Sequence, residues 1–325
     1  MTERAEDVAV DVPAPDRWKW VRRLAPWAIS AAALAAILVR YPLARIVAEV
    51  ERGDVPAMVP AAVAGVLALW LSATIGDLVL LRHLVGRVRF WDLFRGKAGV
   101  AVLNALGLAA NYGGHALWIQ RRFGCAPGTA VGLLLMVSLA DLVSVSLVGT
   151  VAVWLAGDGL AADARDRLRL IAPAVAALAL AVLLLSGSRT SRPLFAPWRD
   201  IPRGARLISV AARCGNIAIL VVSTWAAARG FGLPVPFVAV ATYLPILLVV
   251  GAMPINVAGF GPIQAAWVAV FSPWASGEQI LAFQFLWHLL FFIGLFVRGA
   301  PFLRAVVADV AAGRAASTTS RSGSP

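Results

Sequence analysis

The sequence predicts an all-α polytopic membrane protein with about six to eight transmembrane helices, in which two segments are broken or re-entrant. Three observations predict this fold class. Of the 325 residues, 60% are hydrophobic and 14% are charged, against about half and about a quarter in soluble domains. Apolar runs close to the roughly 20 residues that span a bilayer recur along the chain. Two of these runs, residues 103–118 and 253–267, are interrupted by Asn and Gly.

Eight apolar segments follow one another along the chain. In order they cover residues 24–39, 57–81, 98–117, 127–156, 168–185, 207–228, 237–271 and 279–297. We expect residues 1–23 to form a charged cytoplasmic tail and residues 24–305 to form the membrane domain. Residues 306–325 are expected to form a disordered tail, because their end is rich in Ser, Thr, Gly and Pro.

The distribution of arginine predicts the orientation. Basic residues are concentrated in the loops 82–97 and 186–206 and in both terminal flanks, and such segments face the cytoplasm. Segment 98–117 must then enter and leave on the cytoplasmic side, and segment 237–271 on the outer side. This gives six spans and two re-entrant hairpins, arranged like an inverted repeat. If one hairpin is instead two full spans, the count rises to eight.

Several function classes are excluded by composition and spacing. The net charge of +12 indicates contact with anionic lipids and no nucleic acid, because a membrane protein carries such an excess in its cytoplasmic loops. Cys125 and Cys214 are isolated, and the three histidines lack metal-ligand spacing. We therefore expect no metal and no cofactor. No nucleophile–base pair or phosphate-binding loop is present, so enzymatic activity is not expected.

The two broken segments are the first candidate sites. Irregular backbone at membrane depth persists only where protein or a wet cavity surrounds it, and paired breaks in two halves of a chain indicate a transporter-like site. Two tight turns between ordinary helices are the alternative. Asparagines at the breaks can satisfy freed backbone groups or bind ligand, and glycines can expose backbone N–H groups. The candidates are Asn104, Asn111, Gly113, Gly114, His115, Asn256, Gly259 and Gly261.

Two charged residues inside apolar segments are further candidates. Asp141 lies in the middle of segment 127–156, where an ionisable group usually faces a cavity or a partner, and Ser138 shares its helix face. A structural contact between helices is the alternative for Asp141. Arg213 can extend to the cytoplasmic interface, grip a phosphate with its guanidinium, or pair with Asp141.

The order of these motifs resembles a flippase-like family named after the membrane region of lysylphosphatidylglycerol synthase. The first motif of that family corresponds to residues 104–115, followed by Arg121 and Arg122 and then by residues 138–142, Ser-Leu-Ala-Asp-Leu. The second corresponds to residues 254–264, Pro-Ile-Asn-Val-Ala-Gly-Phe-Gly-Pro-Ile-Gln. The resemblance covers roughly residues 20–305. It implies lipid translocation or lipid handling in a bacterial inner membrane.

The chain departs from the family pattern at several motif positions. Ala110 lies near the place of a motif proline, and His115 stands where the family usually has Glu. Ser138 stands where the family usually has Arg, and Gln264 replaces an acidic residue. The resemblance therefore implies a divergent member, and Gln264 joins the candidate site residues. No aminoacyltransferase domain follows, so lysyl transfer is not supported.

Three functions remain open from the sequence. The first is a protein that binds and flips an anionic lipid or a polyprenyl-phosphate-linked lipid, with membrane lipids as its partners. The second is a proton-coupled transporter of a small solute, in which Asp141 and His288 would exchange protons. The third is a membrane scaffold that does not transport and supports a neighbouring lipid or glycan enzyme.

Overall fold

The computed structural model describes residues 18–106, 108–156, 162–185, 192–252, 256 and 260–322. Every element in this part of the chain is helical, apart from one isolated bridge at Phe260. The helices are α1 Trp18–Arg40, α2 Leu43–Arg52, α3 Val55–Val85, α4 Phe90–Ala101, α5 Leu108–Phe123, α6 Pro127–Leu155, α7 Ala162–Leu185, α8 Ala196–Asp200, α9 Arg203–Phe231, α10 Phe237–Ala252, α11 Pro262–Phe271 and α12 Gly277–Ser322. Short 3-10 helices cover Val102–Leu106 and Pro193–Phe195. The predicted all-α fold class is confirmed.

Five segments have the length and composition of membrane spans, or six if one bent pair of helices is a single span. The five are single helices, namely α3, α6, α7, α9 and α12, and the bent pair is formed by α1 and α2, which are bent by 75° from each other. The count of five or six is therefore at or just below the lower end of the predicted six to eight. Helix α2 lies in a stretch that the sequence analysis left outside the apolar segments.

Both broken segments form hairpins of short helices. Hairpin 1 consists of α4, the 3-10 helix Val102–Leu106 and α5, and hairpin 2 consists of α10, a break and α11. Their helices have 12, 16, 16 and 10 residues, so none reaches the roughly 20 residues needed to cross a bilayer alone.

The buried core shows that each hairpin returns to the side from which it came. Leu93 and Trp118, from the two arms of hairpin 1, belong to one buried cluster with the end of α3 and the start of α6. The arms of hairpin 2 belong to a second cluster with the end of α9 and the start of α12. The hairpins thus occupy opposite halves of the molecule, as re-entrant segments from opposite faces do.

The packing is reciprocal between two units, α3–α6 and α9–α12. Helix α3 packs on α9, α4 packs on α12, and α10 packs on α6. Gly65 of α3 faces Ser223 of α9 and Gly76 faces Ala212, so α3 and α9 run antiparallel. Reciprocal packing of antiparallel units is the arrangement of an inverted repeat.

Helix α12 is longer than the predicted last span. It runs to Ser322, and Val306 is buried in the core beside hairpin 1. Asp309 accepts hydrogen bonds from Trp118 Nε1, at 3.2 Å, and from Arg122 Nη1, at 3.3 Å. Residues 306–312 are therefore part of the folded domain, and the helix continues beyond them to Ser322.

Candidate functional site

Four charged side chains form a buried network where α3, α4, α6 and α9 meet. Arg213 donates to Asp141 through Nη1 and to Asp77 through Nη2. Lys97 of hairpin 1 donates to the second oxygen of Asp77 and, at 3.0 Å, to the Ala73 carbonyl. Two carboxylates and two cations leave this network with no net charge. Such pairing is what allows charges to remain in an apolar interior.

Asp141 is the member of this network that faces open space. Its side chain is 36% exposed, whereas the side chains of Asp77 and Arg213 are 8% and 4% exposed. Arg213 is therefore enclosed behind two carboxylates. The predicted pairing of Asp141 with Arg213 is confirmed, and Asp77 is a second partner of the same guanidinium.

A cavity of about 540 Å³ lies between the tips of the two hairpins. Its polar wall is formed by residues of α4, α5, α6, α9 and α12, namely Lys97, Asn111, Tyr112, His115, Ser138, Asp141, Asn216 and Arg298. Leu220, Leu248 and Val249 line the opposite end, next to hairpin 2. The volume is in the range of about 300–1,000 Å³ that is typical of small-molecule sites.

The cavity changes from polar to apolar along its length. On α6 the lining residues Ser138 and Asp141 come before Val145, and on α9 Asn216 comes before Leu220. Both helices run from the half that contains hairpin 1 to the half that contains hairpin 2. The charged end therefore belongs to hairpin 1, and the apolar end belongs to hairpin 2.

His115 is placed in the cavity wall by hairpin 1. Its ring is stacked on Trp118 with the centroids 6.0 Å apart. Its Nε2 atom is buried and has no hydrogen-bond partner among the described residues. This nitrogen can accept a proton or hydrogen-bond to a ligand in the cavity.

The polar residues of hairpin 2 satisfy the backbone of their own break. Asn256 Nδ2 donates to the Val250 carbonyl at 2.6 Å, and Asn256 Oδ1 accepts from the Ile263 amide at 3.1 Å. Gln264 Oε1 accepts from the Gly261 amide at 2.6 Å, and Gln264 Nε2 donates to Gln284 Oε1 at 3.3 Å. The first amides of α11 are thus occupied by protein oxygens.

A family model described as the lysylphosphatidylglycerol synthase TM region matches residues 23–299. This match spans most of the chain and includes both hairpins and the cavity. The chain belongs to this family. A comparison with curated proteins found no match.

Some of the predicted site residues of this member of the lysylphosphatidylglycerol synthase TM family lie together in the cavity wall. Asn111, His115, Ser138 and Asp141 line the cavity. The other described candidates lie outside its lining: Asn104, Gly113, Gly114, Arg213, Asn256, Gly261 and Gln264. Gly259 lies outside the described residues.

The first break is shorter than expected and lies at the start of the predicted range 103–118. The chain leaves α-helical geometry at residues 102–106, and Gly113 and Gly114 are inside α5. They do not provide exposed N–H groups, because a helix interior engages its own amides. Gly261 does adopt the expected positive φ, at 136°. The Gly261 and Ile263 amides at the start of α11 are already bonded to Gln264 and Asn256, so they are not exposed for a ligand.

Sequence reasoning missed three charged residues of this site. Asp77 lies near the end of the predicted segment 57–81, and Lys97 and Arg298 lie in the basic stretches that predict the cytoplasmic side. A usable signal for Lys97 is that arginine supplies nearly all other basic residues and an apolar run follows it. The role of Asp77 depends on long-range packing that no local pattern reveals.

Proposed function

We propose that this protein binds an anionic lipid in the central cavity and carries it across the bacterial inner membrane, with both termini in the cytoplasm. The main support for this proposal is that the cavity lining changes from charged at one end to apolar at the other. An amphiphile matches both ends at once, since its head group finds charge and hydrogen-bond donors and its first methylenes find Leu and Val. A small polar solute would leave the apolar end unmatched.

The inverted-repeat packing supplies a route for transport. Hairpin 1 and hairpin 2 reach the cavity from opposite sides, so movement of one hairpin opens one face of the membrane and not the other. Alternating access by rocking of one repeat against the other uses this arrangement. Asp141 and Lys97 in the cavity already form ion pairs. Because ion pairing makes each of them a poorer general acid or base, their pairing supports transport rather than catalysis.

The test is lipid flipping in proteoliposomes. The full chain is reconstituted with fluorescent phosphatidylglycerol, and a membrane-impermeant reductant reports how fast inner-leaflet probe reaches the outside. Wild type should accelerate this exchange, and Asp141→Asn should slow it. The matched control is Asp166→Asn, because Asp166 is an exposed aspartate on α7. Exchange no faster than in empty liposomes would contradict the proposal.

A proton-coupled solute transporter is the second candidate. Asp141 is partly exposed to the cavity, and the buried Nε2 of His115 lacks a partner among the described residues. Both groups can exchange protons with the cavity. Flipping measured with and without a pH gradient separates the two functions: lipid exchange at equal pH favours the first, and solute uptake that requires the gradient favours the second.

A further inference from the structure

Arg298 differs from the other cations of the cavity because its charge is not neutralised. Its guanidinium lies over the Trp70 ring, with Cζ 5.2 Å from the centroid. Nη1 donates weakly to the Val66 carbonyl at 3.4 Å, and Nε is buried with no partner in the described part of the chain. Among the described residues, no carboxylate forms an ion pair with Arg298.

The remaining charges of the cavity cancel. Lys97 and Arg213 are paired with Asp77 and Asp141, so Arg298 leaves the cavity with one net positive charge when His115 is neutral. A cation inside the membrane region is costly without a counterion. The missing counterion is therefore expected to be supplied by the ligand.

The surroundings of Arg298 keep its guanidinium in a fixed position. Trp70 stacks on Phe94 with the ring centroids 3.5 Å apart and an interplanar angle of 18°. The guanidinium lies over the Trp70 ring of this pair, beside the cavity, and packing on an aromatic face restricts its movement. A planar guanidinium in a fixed position donates two parallel N–H groups to phosphate oxygens, which an ammonium group cannot do.

We propose that Arg298, supported by Trp70, anchors the head group of the transported lipid, and that this head group is a phosphodiester with a single negative charge. The inference rests on the proposed function and names the substrate class. A phosphomonoester carries about −1.5 to −2 charges near neutral pH. Its second charge would enter a cavity that also contains the carboxylate of Asp141, and the other described cations of the site are already paired. Phosphodiester lipids such as phosphatidylglycerol are therefore favoured over polyprenyl phosphates.

The test is lipid binding to the full-length protein in neutral detergent, followed by native mass spectrometry. The probes are dioctanoyl phosphatidylglycerol, dioctanoyl phosphatidic acid and dioctanoyl phosphatidylcholine, which differ in head-group charge. Wild type should bind phosphatidylglycerol most tightly. Arg298→Gln should weaken that binding by about tenfold or more, as expected for loss of a bidentate charge-assisted contact. Arg298→Lys should fall between the two.

Arg304→Gln is the matched control, because Arg304 is exposed on the same helix and should leave all three affinities unchanged. If Arg298→Gln does not fold, phosphatidylglycerol affinity is measured in Arg298→Lys and Trp70→Phe instead, and both should bind this lipid more weakly than wild type. Retention of phosphatidylglycerol affinity in the Arg298 variants would overturn the anchor and leave lipid flipping standing. Tighter binding of phosphatidic acid would overturn the single-charge assignment. A wild type that binds none of the probes would overturn the proposed function itself.

Discussion

Hairpin 1 and hairpin 2 occupy equivalent places in the two repeats, but their polar residues have different partners. Asn256 and Gln264 of hairpin 2 bond to the backbone of their own break. Lys97, Asn111 and His115 of hairpin 1 point toward the cavity or toward charges on other helices. The polar residues of hairpin 2 therefore stabilise their own break, whereas those of hairpin 1 line the cavity in which we propose that the lipid binds.

The comparison between the hairpins would fail most clearly if both entered from the same face of the membrane. Cys125 follows hairpin 1, and Ser272 occupies the equivalent place after hairpin 2. In a Cys214→Ser background, an impermeant maleimide should label Cys125 only in inverted vesicles. With Cys125 also replaced by Ser, a Ser272→Cys variant should react only in right-side-out vesicles.

Labelling conditions follow from the environment of the thiol. Partial burial raises the pKa of Cys125, so less reactive thiolate is present at neutral pH, and labelling should be done at about pH 8.5. Labelling of both positions from one side would contradict the inverted arrangement.

The next largest effect is expected at the buried ion pairs that join Lys97 of hairpin 1 to α3, α6 and α9. Asp77→Asn removes the carboxylate that Lys97 and Arg213 share, and an unpaired buried charge costs about 3–5 kcal/mol of unfolding free energy. Asp141→Asn should cost less, because the Asp141 side chain is 36% exposed to the cavity. Unfolding in graded SDS measures both, with Asp166→Asn as the control. Equal losses for Asp77 and Asp141 would contradict the assignment of Asp141 to the cavity.

A smaller loss of unfolding free energy is expected for a substitution in hairpin 2, and this substitution should lower stability without slowing transport. Gln264→Ala leaves the Gly261 amide and Gln284 without their partner, which costs about 1–3 kcal/mol. Lipid flipping per folded molecule should stay at the wild-type rate. Asn111→Ala in hairpin 1 should do the opposite, with a stability near wild type and slower flipping. If Gln264→Ala abolished flipping at unchanged stability, hairpin 2 would have to be part of the binding surface.

The smallest effects concern two glycines, one in each hairpin. Gly261 has φ 136°, so Gly261→Ala should lower unfolding free energy by about 1–2 kcal/mol through backbone strain. Gly113 lies in a helix with open space at its Cβ position, so Gly113→Ala should be neutral or stabilising, by about 0.5–1 kcal/mol at most. Thermal unfolding distinguishes the two. A strong loss at Gly113 would mean that this face of α5 contacts another molecule.

The sequence was sufficient for the features that depend on local composition. Hydropathy located the spans and both hairpins, and Arg213 with Asp141 could be paired because each was an isolated charge in an apolar run. Helix α2 was missed although Leu43, Ile46, Val47 and Val50 follow helical spacing. Its charged residues made the stretch resemble a loop.

The features that depend on long-range packing could not be predicted. Asp77 and Lys97 are separated by about two turns of α3, a loop and about two turns of α4, and the packing of α4 against α3 brings them together. Arg298 follows the last span, where the positive-inside rule already accounted for it. Because this rule explains a basic residue at that position, nothing in the sequence indicated that Arg298 also lines the cavity. The first break occupies only the start of the predicted range 103–118, because the paired glycines are accommodated inside α5.

The central claim is that the ligand lies against hairpin 1 and not against hairpin 2. Photocrosslinking with a diazirine-bearing phosphatidylglycerol, with the head group as the reactive end, tests it without any mutation. Competition with excess unlabelled phosphatidylglycerol identifies the specific sites after digestion and mass spectrometry. We predict competable crosslinks in residues 111–115 of α5 and 138–142 of α6. Competable crosslinks confined to residues 256–264, or to the lipid-facing surface of α7, would contradict the account.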